Sequence, residues 1–193
     1  MTSVFTDYSF LIICWSIFWL YWFVSAFSAK KSIIKANWRL AILWRVIFIV
    51  FVILFVEFDR SSVVYGLSFF LKSLFSFQII GDILTVVGLI VAIWARVHLG
   101  SNWAGYVTYK ENHELVTSGP YRFVRHPIYS GLILMSLGTI LCYGCLAFII
   151  FFGAVLISFT WRIKREEKIM INLFGQKYID YMKKTKTLIP WIW

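Results

Sequence analysis

An apolar run of about 20 residues is long enough to cross the roughly 30 Å hydrocarbon core of a bilayer as one helix. This chain has four stretches that approach or exceed that length: Tyr8–Ser28, Leu40–Val56, Gln78–His98 and Ile128–Ile163. Hydrophobic residues make up 61% of the 193 positions and charged residues only 15%, a balance that ordinary soluble domains do not show. The last run is too long for one pass, and Tyr143-Gly144-Cys145 near its middle supplies a turn. It therefore predicts a helical hairpin and an all-α integral membrane fold of about five transmembrane helices. Ser61–Phe77 carries Lys72 and has no polar loop before the next run, so the stretch near 61–77 is expected to be interfacial or re-entrant. The first run begins near Tyr8 without a basic leader and reads as a retained helix rather than a signal peptide. No linker rich in Gly, Ser or Pro divides the chain. Residues 1–193 are expected to form a single membrane domain, with three N-terminal spans in 1–98 and the chemistry-bearing half in 99–193.

A net charge of +10 could suggest nucleic acid, but the basic residues are interleaved with apolar runs and follow membrane topology instead, so no nucleic-acid partner is expected. The first connection carries Lys30, Lys31, Lys35 and Arg39, whereas the second has Arg60 beside Glu57 and Asp59. The excess of Lys and Arg marks the first connection as cytoplasmic and puts the N-terminus outside. Five spans then bring Lys110, Arg122, Arg125 and the C-terminal tail to the cytoplasmic face of a bacterial or archaeal plasma membrane, or of the endoplasmic reticulum in a eukaryote. Arg45, one turn from a basic loop, is expected to snorkel, and Asp82 to reach the outer interface. Cys14, Cys142 and Cys145 lie in or beside apolar runs and read as small hydrophobes. The Cys142/Cys145 pair lacks the further ligands a metal site needs, so no metal is expected.

The segment Leu99–Arg125 is unusually polar for this chain and too long to be a mere connection. It leads into Gly119-Pro120-Tyr121-Arg122-Phe123-Val124-Arg125-His126-Pro127-Ile128-Tyr129-Ser130-Gly131. Gly119-Pro120 marks a turn, and Pro127 fits the first turn of the following helix, where its missing N–H has no intrahelical partner to lose. Arg125 and His126 thereby stand at a helix N-terminus, whose free N–H groups and partial positive charge suit a carboxylate or another anion. At the other end of the hairpin, Arg162 precedes Glu166 by four residues and shares a helix face with it, with Glu167 next in sequence. Such a pair fits two readings, an interfacial ion pair or a site in which Arg162 grips a carboxylate and Glu166 a cation.

In order along the chain, Leu115-Val116-Thr117-Ser118-Gly119, Arg125-His126-Pro127-Ile128-Tyr129, Arg162 with Glu166-Glu167, Phe174-Gly175-Gln176-Lys177-Tyr178-Ile179-Asp180-Tyr181 and Leu188-Ile189-Pro190 resemble the isoprenylcysteine carboxyl methyltransferase family. The resemblance implies S-adenosyl-L-methionine as cofactor and O-methylation of the carboxylate of an isoprenylcysteine or similar lipidic acceptor, with membrane lipids around it. Carried over by motif, the cofactor contacts are Thr108, His113, Glu114, Leu115, Val116, Tyr121, His126, Pro127, Ile128, Tyr129 and Glu166. Arg162 would face the substrate carboxylate, and the catalytic set would be Arg162, Glu166 and Glu167. An α-carboxyl with a pKa of about 3.3–3.7 is already ionised at neutral pH, so esterification by methyl transfer needs no general base. A prenyl chain is stabilised in lipid by about 0.8 kcal/mol per CH₂, which argues for an acceptor entering from the bilayer and a cofactor entering from water. The competing readings are a methyltransferase acting on phospholipids or other lipids, an NADPH-dependent sterol-type reductase with a similar Arg-His-Pro segment, and a non-catalytic membrane protein. Arg162 favours an anionic acceptor over an amine, and Glu166-Glu167 favours a cationic cofactor over a phosphorylated one.

Overall fold

The computed structural model describes residues 8–27, 78–103, 114–143 and 146–190. Among these the regular structure is helical: α1 (Tyr8–Ala26), α2 (Gln78–Leu99), α3 (Pro127–Tyr143), α4 (Leu146–Phe174) and α5 (Gln176–Lys184), with 3-10 turns at Gly100–Asn102 and Gly119–Arg122. A single parallel bridge, Val124 to Lys186, is the extended pairing found among them. The expected spans Leu40–Val56 and the stretch 61–77 lie outside the described residues, as do Arg45, the turn residue Gly144 and Cys145.

The tightest packing is between α2 and α3, and small residues make it possible. Along α2 the inward positions Gly81, Thr85, Gly88, Ala92 and Ala95 recur at alternating steps of four and three, and Gly131, Met135, Gly138 and Cys142 do the same on α3. A methyl group added at Gly88 would lie 2.5 Å from the Gly131 carbonyl oxygen, and one at Gly131 would lie 2.6 Å from that of Gly88. The two backbones thus touch, which maximises dispersion contacts and is the way helices associate when lipid gives them no hydrophobic reason to do so. α1 lays a second stripe against this pair: Cys14 and Phe18 join Leu89, Ala92 and Met135 in one apolar cluster flanked by Trp15 and Trp22. The Trp15 indole N–H donates to Thr139 Oγ1 (3.1 Å), so the one polar atom of a large ring has a partner.

The opposite faces stay uncovered by described residues. Trp19, Leu20 and Phe23 on α1 and Trp161 on α4 are 63–67% exposed, and Ile79, Ile83, Ile90 and Val97 continue the pattern on α2. Monomeric soluble proteins rarely expose contiguous surface of this kind. Among the described residues one helix, Gln78–Asn102, is long and apolar enough to cross a bilayer by length and composition; Ser9–Ser25 and Pro127–Cys142 are apolar but shorter.

Two arginines tie the helices to their loops. Arg96, 2% exposed, donates from Nη1 to the Gly100 carbonyl (2.7 Å) and from Nη2 to the Ser25 carbonyl (2.6 Å), with its guanidinium 4.6 Å from the centre of the Trp103 ring. It closes the C-terminal ends of α1 and α2 onto one another. The second, Arg125, belongs to the site.

The cysteines behave as small buried groups. Cys14 and Cys142 are free and buried, and the Cys142 thiol lies 3.5 Å from both the Gln78 carbonyl and Asp82 Oδ1. Asp82 is half-buried and turned toward that thiol, a neighbour its expected reach to the interface did not include.

Candidate active site

The polar segment enters the helices through a glycine turn. Gly119 has φ 58°, a left-handed conformation that a side chain would strain, and an added methyl group would strike the His98 ring. His98 Nε2 in turn meets Ser118 Oγ at 3.1 Å, so the end of α2 holds the turn in place. The next residue but one, Tyr121, is buried: its hydroxyl donates to the Ala95 carbonyl (3.4 Å), and its own carbonyl accepts from the Tyr181 hydroxyl (2.6 Å). Burial pushes both phenols upward in pKa, Tyr181 to about 12, so neither ionises near neutrality. Tyr121, expected as a cofactor contact, braces α2 against α5.

α3 begins at Pro127, as the missing N–H required. The residues just before it are stapled to the C-terminal tail. The Arg125 N–H donates to the Lys186 carbonyl (2.8 Å), the His126 N–H to the Thr187 carbonyl (3.1 Å), and Ser130 Oγ to the Leu188 carbonyl (2.6 Å). The Arg125 side chain completes the junction. Nε donates to Glu167 Oε1 (2.7 Å), Nη1 to the carbonyls of Thr185 (2.5 Å) and Met182 (3.3 Å), and Nη2 to Thr187 Oγ1 (2.8 Å). The side chains of Arg125 and Glu167 are 9% and 15% exposed, and a buried guanidinium needs most of its donors engaged.

The second carboxylate of the pair has different company. Glu166 Oε1 accepts from the Tyr129 hydroxyl (2.7 Å) and from Arg162 Nε (2.9 Å), while Oε2 faces His126 Nδ1 at 3.7 Å. The His126 ring lies between the two acids, because its Nε2 is 3.4 Å from Glu167 Oε1. It stacks on Tyr129 at 5.7 Å between ring centres, Tyr129 packs on Phe159 at 4.8 Å, and the Arg162 guanidinium stands 5.9 Å from the Tyr129 ring centre. Glu167 lies beyond the apolar run. Burial would raise its pKa, but hydrogen bonds from His126 and Arg125 and their charges outweigh burial and hold the carboxyl below the usual range.

Thus six residues that the sequence singled out, Arg125, His126, Tyr129, Arg162, Glu166 and Glu167, come together although they lie on two helices and a loop. Pro127 is buried and Ile128 half-buried directly beneath them in the first turn of α3. Glu114 is exposed and Leu115 and Val116 half-buried in the extended stretch leading to Gly119. Thr108 and His113 lie outside the described residues. Sequence reasoning missed the partners of Arg125 in the tail. Leu188-Ile189-Pro190 was noted as a motif, but nothing local showed that the preceding Thr185 and Thr187 grip Arg125 from 60 and 62 positions away.

The chemistry available is that of opposed charges in a half-buried, aromatic setting. Arg125 and Arg162 balance Glu166 and Glu167, leaving the cluster formally neutral apart from His126. A half-buried carboxylate edged by two aromatic rings suits an ammonium or sulfonium group, and the adjacent start of α3 suits a carboxylate. These donors fit a cofactor that carries both.

Known proteins reach the same place from outside. Residues 81–172 match the model of the isoprenylcysteine carboxyl methyltransferase (ICMT) family. A protein-S-isoprenylcysteine O-methyltransferase of Xenopus laevis is 36% identical over 145 residues, covering 71% of this chain and 48% of that protein. One of Schizosaccharomyces pombe is 39% identical over 101 residues, 51% of this chain and 43% of that protein. The chain therefore spans about half the length of these curated relatives. Among solved structures, the eukaryotic intramembrane Ras methyltransferase ICMT is similar with a TM-score of 0.60 and 27% identity, covering 83% of this chain and 55% of the other. Residues 81–172 carry the sequence pattern of the isoprenylcysteine carboxyl methyltransferase family, and the resemblance read from the motifs is borne out.

Proposed function

We propose that this chain is an integral membrane methyltransferase that uses S-adenosyl-L-methionine to esterify the carboxylate of a prenylated cysteine or a similar lipidic acceptor. The observation that carries the reading is the Glu166 cluster, in which one carboxylate gathers Tyr129, Arg162 and His126 at the mouth between α3 and α4. The names of the relatives support the reaction class and the prenylcysteine acceptor. In topology the reading keeps five spans, α3 and α4 as a hairpin, the N-terminus outside and the cluster on the cytoplasmic side. Exposed apolar faces on α1, α2 and α4 support the membrane setting.

When bound, the cofactor supplies an electrophilic methyl group on a sulfonium and leaves as the neutral thioether S-adenosylhomocysteine. Glu166, with Tyr129 and His126, would hold its cationic part, while the first turn of α3 at Pro127, Ile128 and Tyr129 would hold its carboxylate. Glu114, Leu115, Val116, Thr108 and His113 would complete the cofactor side, with Tyr121 bracing it. Arg162 would orient the acceptor carboxylate, spreading its charge over two oxygens so that one stays in line with the methyl group. No proton moves, because the acceptor is ionised beforehand. The charges also balance: a cofactor of net +1 and an acceptor of −1 enter a cluster that was neutral before them. Alignment of the two can supply about 7–11 kcal/mol of barrier lowering at best.

The test measures thermal stabilisation of the purified protein by S-adenosylhomocysteine and by NADPH, then methyl transfer to a farnesylcysteine analogue and to extracted lipids. Stabilisation by NADPH alone overturns the reading, and transfer to lipid amines alone moves the acceptor class. Arg162→Ala is expected to abolish transfer while S-adenosylhomocysteine binding survives, since Glu166 retains the Tyr129 hydroxyl. Loss of that binding would contradict the role given to Arg162.

A further inference from the structure

The sequence pairs Glu166 and Glu167 as twin carboxylates, but the structure gives them separate neighbours. Successive residues on a helix point about 100° apart. Glu166 accordingly faces Tyr129 and Arg162, while Glu167 faces Arg125 and the edge of His126. An ionised carboxylate only accepts hydrogen bonds, and both ring nitrogens of His126 face one: Glu167 Oε1 is within hydrogen-bond reach of Nε2 at 3.4 Å, whereas Glu166 Oε2 stands beyond it from Nδ1 at 3.7 Å, so the neutral ring is biased toward carrying its proton on Nε2. Glu167 is itself held by Arg125 Nε at 2.7 Å, and Arg125 is held by the tail through Thr185, Met182 and Thr187.

We infer that Glu167 is a positioning residue: it fixes the tautomer and the plane of His126, and Arg125 carries that constraint from the C-terminal tail. The inference rests on the site reading given above and reassigns one member of its catalytic set. Glu167 does not act on the reacting atoms. Its oxygen is spent on Arg125 and His126, and the ring it orients presents Nδ1 toward Glu166 and its flat face to Tyr129. The tail residues from Met182 to Leu188 thereby become part of the site without touching a ligand. Hydrogen bonds of this charged kind are worth enough that loosening one weakens a dependent contact roughly ten- to a hundredfold.

The experiment labels the three histidines with ¹⁵N and assigns His126 by comparison with His126→Asn. In the wild-type protein at a pH where the ring is neutral, Nε2 is expected to be the protonated nitrogen. Glu167→Ala should mix the tautomers, and Glu167→Gln, whose amide oxygen can still accept, should restore the Nε2–H form. Arg125→Lys should leave the tautomer partly mixed. In parallel, S-adenosylhomocysteine affinity should fall about ten- to a hundredfold in Glu167→Ala and recover substantially in Glu167→Gln. An unchanged His126 spectrum in Glu167→Ala overturns the inference, as does an Nδ1–H ring in the wild type. If Glu167→Ala fails to fold, the wild-type tautomer and the Glu167→Gln spectrum still decide it. The spectra need no cofactor, so a failure of the methyltransferase reading, seen as no binding by the wild type, is separable from a failure here.

Discussion

Two arginines, Arg96 buried and Arg125 half-buried, hold this protein together by opposite means. Arg96 sits where α1, α2 and the following turn converge, and among the described residues it is met by backbone carbonyls and a tryptophan face, with no carboxylate. Arg125 sits where α3, α4 and the tail converge, and it is met by two carbonyls, a hydroxyl and the carboxylate of Glu167. Among the described residues the first junction is met by carbonyl dipoles and the Trp103 ring, and its Nε is buried without an acceptor. The second is an ion pair with its donors engaged. The difference assigns the costs: breaking the second strands a charge, whereas breaking the first only deprives two carbonyls of a donor.

The largest expected effect follows from that. Arg125→Met leaves Glu167 half-buried without its arginine and should cost up to about 3–5 kcal/mol in a denaturant titration of the micellar protein. The double variant Arg125→Met/Glu167→Leu should recover part of this, and an additive double variant would break the comparison. Arg96→Met should cost less, about 1–3 kcal/mol, because no opposite charge is orphaned. A larger loss at Arg96 than at Arg125 would reverse the ranking.

Acid should separate the junctions further. The Glu167 carboxyl is held below its ordinary range, so the folded chain gives up that proton more readily than the unfolded one. Its stabilisation is complete above the ordinary glutamate pKa of ~4.3 and is lost as pH falls through the lowered folded value. Below about pH 4, then, the wild type should weaken toward Arg125→Met, while the difference between wild type and Arg96→Met should stay nearly constant; a stability difference between Arg125→Met and wild type that does not narrow in acid sinks the assignment. The smallest effect is at Thr187→Val, which removes one neutral acceptor from Arg125 and should cost about 1 kcal/mol.

How much of this was legible in sequence depends on distance along the chain. The Arg162–Glu166 contact is fixed by a spacing of four on one helix, and the start of α3 by the chemistry of Pro127 itself. Both could be read directly. The same locality hid the neighbours of Glu167: it stands next to Glu166 in sequence, but successive residues on a helix face different ways, and its partners are Arg125 and His126 rather than Tyr129 and Arg162. The acceptors of Arg125 lie 42 to 62 positions away, and no periodicity encodes such a pairing. The seam of Gly81, Gly88, Gly131 and Gly138 was present in the letters too, but hydropathy counts glycine as weakly apolar and hides its spacing inside an apolar run.

That seam has a mechanical consequence. With no side chain between the backbones at Gly88 and Gly131, a methyl group at either would strike the carbonyl opposite, so the close approach of α2 and α3 depends on the glycines staying glycine. By contrast, among the described residues α3 meets α4 far more sparsely than it meets α2. His98, the Gly119 turn, His126 and Tyr129 thus ride on one closely packed pair, and Arg162, Glu166 and Glu167 reach them from α4 through side-chain hydrogen bonds rather than through a backbone seam.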